Sequence, residues 1–247
     1  MTKIMVPSAR RPHTAFMNTQ AKSIGELALE VPHAIAVLER WRIDYCCHGQ
    51  RSVAEACADA GVTTEELMRE IGTTPVVDEA RDWSAESLEA LQRYIIDTHH
   101  VFTRQALETV NVLSEKVANR HGHGHPEVLR VRELVVALCD DLEPHMMKEE
   151  IVLFPYVAAM ERGEQTPNCF GTVRNPVRMM MIEHDAVGGL LRDLRETTAD
   201  YALPDDACLS FRALYERLIE LELDLHKHIH IENNVHFPRA VAMEEGQ

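Results

Sequence analysis

The chain carries one pattern twice: a histidine, a glutamate four residues later, and a Phe-Pro pair that begins nine residues after the histidine. A lone histidine precedes each copy by 44 or 45 residues, so that corresponding positions in the two halves are offset by 83 or 84 residues. Such a repeat indicates that the second half of the chain has the same local structure as the first. The two sets are His100, His145, Glu149, Phe154, Pro155 and His184, His228, Glu232, Phe237, Pro238.

The spacing of histidine and glutamate has a structural meaning in a helix. Residues four positions apart project from the same face, so each pair can reach one point in a protein interior. Burying an ionised glutamate there is very costly unless a counter-charge is present, and a bound cation supplies one. Each pair continues an apolar stripe that predicts burial, namely Leu134, Leu138, Leu142 and Leu218, Leu221, Leu225.

Helix signals dominate the sequence, and no stretch shows the alternation of apolar and polar residues typical of a strand. We therefore expect an all-α fold. Three capping boxes, each a hydroxyl residue three positions before a glutamate, predict a small three-helix domain over residues 21–74 that contains Cys46 and Cys47. The boxes begin at Ser23, Ser52 and Thr63.

The remainder of the chain predicts an antiparallel four-helix bundle over residues 84–241. Residues 75–83 are polar and contain a proline, and they are expected to form a linker. Residues 1–20 lack a hydrophobic period and are expected to be a disordered extension. The four long helices are predicted at about Ser84–Asn119, Pro126–Arg162, Pro176–Thr198 and Pro204–Ala240.

The repeated residues predict a site for two metal ions inside this bundle. Four imidazoles and two carboxylates are too many for one tetrahedral zinc, and the lack of thiolates among them argues against a structural zinc site. The arrangement resembles carboxylate di-iron bundles, in which glutamates bridge the metals and histidines cap them. We expect a non-haem di-iron centre with an oxo or hydroxo bridge, held by His100, His145, Glu149, His184, His228 and Glu232.

The first of these ligands is open to an alternative. The hydrophobic phase set by Leu88, Leu91, Ile95 and Phe102 places His99 nearest the centre of the apolar stripe. The spacing of the repeat instead favours His100, which we choose.

Two groups of other histidines are expected to play no part in the centre. The first alternates with glycine in a predicted loop, where a solvated turn or incidental metal pickup is the expected interpretation. The second is expected on a polar or rim face beside the ligands. The groups are His121, His123, His125 and His226, His230, His236.

Cys46 and Cys47 are adjacent thiols between the first and second short helices. Neighbouring Cα atoms are about 3.8 Å apart, which is below the usual disulfide range, so a bridge between them would be strained and easily reduced. This favours redox or metal-delivery chemistry over a structural bridge. The alternative is that they are two small apolar residues in a tight turn.

Charge and composition exclude several kinds of partner. A formal net charge of −15 argues against nucleic acid and anionic membrane surfaces. The N-terminus lacks the apolar run of a signal peptide, and the six cysteines are scattered in a chain too large to need disulfide bridges. We expect a cytoplasmic protein with reduced thiols, and a homodimer is compatible with the sequence.

Several local motifs together resemble the iron-sulfur cluster repair proteins, also called repair-of-iron-centres proteins. This family joins a small cysteine-bearing domain to a hemerythrin-like bundle, and the likeness covers nearly all of the chain after the extension. The motifs are Ile24-Gly25-Glu26-Leu27-Ala28, Asp44-Tyr45-Cys46-Cys47, His145-Met146-Met147-Lys148-Glu149-Glu150, Glu183-His184-Asp185 and Glu232-Asn233-Asn234.

The resemblance implies that the four histidines are terminal iron ligands and that Glu149 and Glu232 bridge the irons. It also implies repair of iron-sulfur clusters damaged by nitric oxide or oxidants, through iron donation or nitric oxide handling. Cys46 and Cys47 would then relay iron or electrons to damaged iron-sulfur proteins. We expect a repair or iron-donor protein rather than a conventional enzyme; the alternatives are a hemerythrin-like sensor or store of oxygen or nitric oxide, and a di-iron nitric oxide reductase.

Overall fold

The fold was analysed in a computed structural model that describes residues 22–75, 83, 85–164 and 167–246. These residues form two compact units. The first contains 22–44 and 50–75, and the second contains 45–49 together with the described residues from 83 onward. Residues 1–20 and most of the predicted linker lie outside the described residues.

The first unit is built from short helices that begin at the capping boxes. The side chains of Ser23, Ser52 and Thr63 each accept a hydrogen bond from the backbone N–H of a glutamate three residues later. The side chain of that glutamate accepts a hydrogen bond from the backbone N–H of the capping residue. The segment predicted as one first helix is divided near Pro32, because proline has no N–H and disfavours helical geometry in the residue before it. The elements are α1 (Ile24–Glu30), a 3₁₀ turn (Pro32–Ala34), α2 (Ile35–Arg40), α3 (Val53–Asp59) and α4 (Thr64–Thr73).

The second unit is a four-helix bundle. Three of its four long helices are interrupted by a turn of π-helix, in which each N–H bonds to the carbonyl five residues earlier. The first runs through α5 (Leu88–Tyr94), π1 (Ile95–His100) and α6 (Val101–His121). The second comprises α7 (Glu127–Lys148), π2 (Glu149–Leu153) and α8 (Phe154–Glu161), and the third is α9 (Arg174–Thr197). The fourth comprises α10 (Leu209–Ile231), π3 (Glu232–His236) and α11 (Phe237–Glu245).

Successive helices of the bundle run antiparallel, as predicted. Arg132, near the start of α7, donates to the Asn111 carbonyl in the middle of α6, whereas Glu149, directly after α7, lies beside His100, directly before α6. On the other side of α7, Arg130 pairs with Asp193, near the end of α9. Among the described residues, no helix is both long enough and apolar enough to cross a membrane.

The fourth long helix begins later than predicted, at Leu209 rather than at Pro204. The preceding residues Ala199, Asp200 and Tyr201 all have positive φ angles, between 48° and 63°. This left-handed turn carries the Tyr201 side chain into the bundle, where its hydroxyl donates to Glu222 Oε2 at 2.9 Å. After it, the Ala207 N–H donates to the Pro204 carbonyl at 3.0 Å in a separate turn, and Cys208 is the N-cap of the helix.

Each π turn coincides with a predicted metal ligand. π1 ends at His100, π2 begins at Glu149 and π3 begins at Glu232. The two later turns are followed directly by the Phe-Pro pairs of the repeat, whose prolines cannot donate the bond that an uninterrupted helix requires. The bundle therefore departs from regular helix at the level of the repeated histidines and glutamates.

A side chain from the second long helix caps the first. Glu161 accepts hydrogen bonds from the backbone N–H groups of Leu88 and Glu89, at 2.7 and 3.0 Å. These donors lie in the first turn of α5 and have no partner within the helix. The carboxylate also lies at the positive end of the helix dipole.

We predict that Glu161→Ala lowers the free energy of unfolding of the bundle by about 1 kcal/mol, because two backbone donors lose their acceptor. Urea denaturation followed by circular dichroism measures the loss. Glu164→Ala is the matched control, since the Glu164 side chain is exposed and bonds only Arg162 among the side-chain contacts described. Equal stability of the two variants would contradict the capping role.

Candidate metal centre

Six side chains from the repeat meet in the interior of the bundle. They form two groups whose donor atoms lie within 4.8 Å of one another, and both glutamates belong to both groups. The groups are His100, Glu149, His228, Glu232 and His145, Glu149, His184, Glu232.

The first group is drawn together around the Nε2 atoms of its histidines. His100 Nε2 lies 3.4 Å from Glu149 Oε2 and 4.0 Å from Glu232 Oε1. His228 Nε2 lies 3.0 Å from the same Glu232 oxygen. Imidazole nitrogens and carboxylate oxygens at these separations can share one cation.

The second group has the same form. His145 Nε2 lies 3.5 Å from Glu149 Oε2, and His184 Nε2 lies 3.2 Å from Glu232 Oε2. The two Nε2 atoms are 3.0 Å apart. Glu232 therefore presents one oxygen to each group, which is the geometry of a bridging carboxylate.

The centre is closed to solvent and lacks internal partners for several of its polar atoms. His100, Glu149 and Glu232 are fully buried. Both oxygens of Glu149 and the Nε2 atom of His100 have no hydrogen-bond partner among the residues that the structure describes. Buried polar groups are almost always satisfied, so these orphaned donor atoms fit a metal ion as the missing partner.

The pKa values of the two carboxyl groups are shifted in opposite directions in the absence of metal. Burial, reinforced by repulsion from Glu232, raises the pKa of Glu149 well above its usual value. Burial also acts to raise the pKa of Glu232, but the attraction of His228 and the hydrogen bonds from His184 and His228 prevail and hold it well below its usual value. The opposite shifts arise because two adjacent buried negative charges repel each other strongly without cations.

The outward-facing nitrogens of three candidate ligand histidines are held by neighbouring side chains. A carboxylate or amide oxygen at Nδ1 fixes the ring so that Nε2 faces the centre. Burial lowers the pKa of His100 and of His145 to about 4, which keeps the rings neutral and able to coordinate. The pairs are His100 with Glu150 at 2.6 Å, His145 with Glu183 at 2.9 Å and His184 with Asn233 at 2.9 Å.

Ring stacking follows the internal repeat. Phe154 stacks on His100 with ring centroids 6.0 Å apart, and Phe237 stacks on His184 at 5.8 Å. In each half of the chain, the Phe of the Phe-Pro pair packs on the lone histidine of the same half. Each of the two groups of donor atoms, by contrast, combines the lone histidine of one half with the His-x-x-x-Glu histidine of the other half.

Comparison with known proteins agrees with this architecture. Residues 91–240 match the hemerythrin HHE cation binding domain, and residues 20–74 match a domain of unknown function, DUF542, named ScdA_N. The chain is 31% identical over 223 residues to the iron-sulfur cluster repair protein ScdA of Staphylococcus haemolyticus, covering 90% of this chain and 98% of that protein. It is 33% identical over 221 residues to the iron-sulfur cluster repair protein YtfE of Escherichia coli, covering 90% and 97%.

The chain belongs to the iron-sulfur cluster repair protein family. A related protein of the same name from Citrobacter koseri is 32% identical over 228 residues, covering 92% of this chain and 100% of that protein. The family resemblance and all-α fold inferred from the sequence are confirmed. This family member therefore has a cation-binding domain with buried His and Glu groups that could hold a metal.

The structure brings His100, rather than His99, into the candidate centre. His99 is also buried, but its Nδ1 bonds Asp224 at 3.0 Å and its ring stacks on His228. The hydrophobic phase pointed to His99 because it assumed a continuous α-helix. π1 inserts one extra residue, which moves the inward-facing position from 99 to 100 and the next one from Phe102 to Thr103.

Two histidines expected on a polar or rim face are buried instead, so that expectation was wrong for them. His230 is 3% exposed and His236 is fully buried. His230 Nδ1 lies 3.1 Å from the Tyr45 carbonyl, and His236 Nε2 lies 2.9 Å from the amide nitrogen of Gln92. These two histidines face inward because other parts of the protein cover π3 and the end of α10 on more than one side.

The segment that bears the cysteine pair belongs to the bundle unit. Asn233 Nδ2 donates to the Cys46 carbonyl at 3.1 Å, and the Cys47 thiol lies 3.5 Å from the His184 carbonyl, to which it donates. The two sulfur atoms are 3.8 Å apart and are not joined by a disulfide. Asn233 therefore touches both the cysteine segment and the candidate ligand His184.

Sequence reasoning did not find the residues that orient the ligands. Glu150, Glu183 and Asn233 all adjoin a candidate ligand in the sequence, which was the available signal. The π turns were also missed, although the prolines of the Phe-Pro pairs marked two of the three interruptions.

We predict that Glu149→Gln makes the metal-free protein more resistant to urea at neutral pH. A carboxyl whose pKa is raised by folding stabilises the fold fully below its unfolded value of 4.5, and that stability is lost as the pH rises. The neutral amide avoids this loss, so the advantage of the variant should shrink as the pH falls towards 4.5. Urea midpoints over a pH series test this.

The substitution Glu150→Gln at the neighbouring position is the control, and it should change the stability in the opposite direction. Burial acts to raise the pKa of Glu150, but hydrogen bonds from Arg104 and His100 lower it below its usual value. Glu150→Gln should therefore weaken the metal-free protein at neutral pH. A Glu149→Gln protein that is less stable than the parent at neutral pH would show that folding does not raise the pKa of the Glu149 carboxyl.

Proposed function

We propose that this protein holds two iron ions in the bundle and uses them to repair iron-sulfur clusters damaged by nitrosative or oxidative stress. His100 and His228 would bind one iron, and His145 and His184 the other. Glu149 and Glu232 would bridge them, together with an oxo or hydroxo group. The observation that carries the proposal is that two fully buried carboxylates each belong to two groups of donors.

The donor set suits a pair of transition-metal ions, and the names of the relatives support iron. The six donors are imidazoles and carboxylates, and the two shared glutamates suit a pair of metals rather than one. A bound pair would supply a store of releasable iron and a centre for electron exchange or for binding of nitric oxide or oxygen. The surrounding residues keep water out and hold the histidines in one tautomer.

The cysteine segment supports repair over simple gas carriage. The Cys47 thiol lies against the backbone of a candidate ligand, so soft sulfur donors adjoin the centre. Thiolates suit a path for iron or electrons towards a cluster, whereas a reversible gas carrier needs none. The names of the relatives point the same way, and the clients would be damaged iron-sulfur proteins of the cytoplasm.

The test is a repair assay with a cluster enzyme inactivated by nitric oxide. The iron-loaded protein should restore the enzyme's activity and should contain two irons per chain by metal analysis and Mössbauer spectroscopy. One iron per chain would overturn the di-iron centre. Full nitric oxide binding without recovery of the client would favour the sensor or store, and steady reduction of nitric oxide by an electron donor would favour a reductase.

We predict that replacing Cys46 and Cys47 together by Ala leaves two irons in place but strongly lowers repair, because the thiols lie beside the centre without being among its donors. The rate of client recovery measures the effect. Cys169→Ser, which changes an exposed cysteine in the connection between α8 and α9, is the control and should repair normally. Unchanged repair by the double variant would remove the relay role.

We also predict that Asn233→Ala weakens iron retention by roughly 10- to 100-fold, because His184 loses the partner that orients its ring. Competition with a chelator measures the change. Asn234→Ala is a close control, since Asn234 also bonds the cysteine segment, at the Tyr45 carbonyl, but does not contact His184 among the bonds described. Equal iron loss from both variants would assign the effect to the segment rather than to the ligand.

A further inference from the structure

A second cluster of side chains of the types that bind metals, namely histidine, cysteine and aspartate, lies far from the candidate centre. His121 ends α6, 21 residues after His100, which corresponds to roughly 30 Å along a helix. Around it, the connection between α6 and α7 meets the start of α10. The side chains involved are His121, His125, Asp206 and Cys208.

These side chains form two contacting pairs across the chain. His121 Nε2 lies 3.2 Å from the Cys208 sulfur. His125 Nε2 lies 3.0 and 3.2 Å from the two oxygens of Asp206. The partners are 87 and 81 residues apart in sequence, so the fold rather than local geometry brings them together.

The backbone and one aromatic ring hold the two histidines near each other. The His125 N–H donates to the His121 carbonyl at 2.8 Å, which continues the helical turn and keeps both side chains on one side. Both rings pack on Phe211, with centroids 5.4 and 5.8 Å away. The expected solvated turn therefore does not describe His121 and His125, which are only partly exposed.

The two rings are more widely spaced than those of the candidate ligands. The His121 and His125 centroids are 6.2 Å apart, compared with 4.9 Å for His100 and His228. No three of the four donor atoms lie within 4.8 Å of one another, so binding of one ion requires the partly exposed side chains to rotate inward. Cys208 and Asp206 are exposed, so the cluster is open to ions in solution.

The mixture of donors defines the class of ion. Two imidazoles, one thiol and one carboxylate make a four-donor set that suits a tetrahedral late first-row ion, and the thiolate disfavours magnesium and calcium. We propose that His121, His125, Cys208 and Asp206 form a second metal site, which binds one zinc-class divalent ion and joins the α6–α7 connection to the start of α10. This site is independent of the iron centre, which contains no thiol.

Cobalt(II) is the probe that separates the two sites. The iron-loaded full-length protein is titrated with Co²⁺ under anaerobic conditions, and the thiolate-to-cobalt charge-transfer absorption is recorded. We expect one equivalent of this absorption. Cobalt that entered the buried centre would give none, because that centre has no sulfur donor, so the result does not depend on the proposed di-iron function.

Variants assign the absorption to the cluster. Cys208→Ser should abolish it while preserving the fold, because serine is a favourable residue at the N-cap position that Cys208 occupies. His121→Ala should weaken cobalt binding at least about tenfold, since a ligand is lost. Cys169→Ser and the double replacement of Cys46 and Cys47 by Ala should keep the signal. A signal that is absent from the parent, that survives Cys208→Ser, or that disappears with the Cys46 and Cys47 replacement would overturn the proposal.

Discussion

The burial of two glutamates side by side is the constraint on which the rest of the bundle depends. A carboxylate in an apolar interior is tolerated only with a counter-charge or a proton, and Glu149 and Glu232 are too close for both to ionise without cations. Four imidazoles surround them, and their burial keeps His100 and His145 uncharged and ready to coordinate. Without cations, the raised pKa of Glu149 makes the fold less stable as the pH rises.

Regular helices alone do not produce this arrangement. A π turn adds one residue to a helical turn, which rotates every later side chain relative to the earlier ones. In the first long helix this rotation delivers His100 to the centre and leaves His99 to bond Asp224. In the second and fourth long helices, the glutamate begins the π turn and a proline follows the turn. The proline has no N–H to donate, and it lies where the regular helical hydrogen bonds are already interrupted.

The sequence was sufficient to predict the bundle and the residues that meet in it, because the repeat ties side chains far apart in the chain to equivalent places. The same repeat corrected the phase error at His99, which arose from assuming an uninterrupted α-helix. The burial of His236 and the late start of α10 were not predictable in this way. They depend on contacts such as Gln92 with His236 and Tyr201 with Glu222, which join residues without any shared pattern.

The pairing of histidines across the two halves has a consequence for assembly. A chain in which only the first helical hairpin has formed offers each donor group one imidazole and the single carboxylate of Glu149, which is too few for a stable site. In the proposed centre, tight metal binding would therefore require the two hairpins to close on each other. Metal loading would then report completed folding, and parting of the hairpins would weaken both donor groups at once.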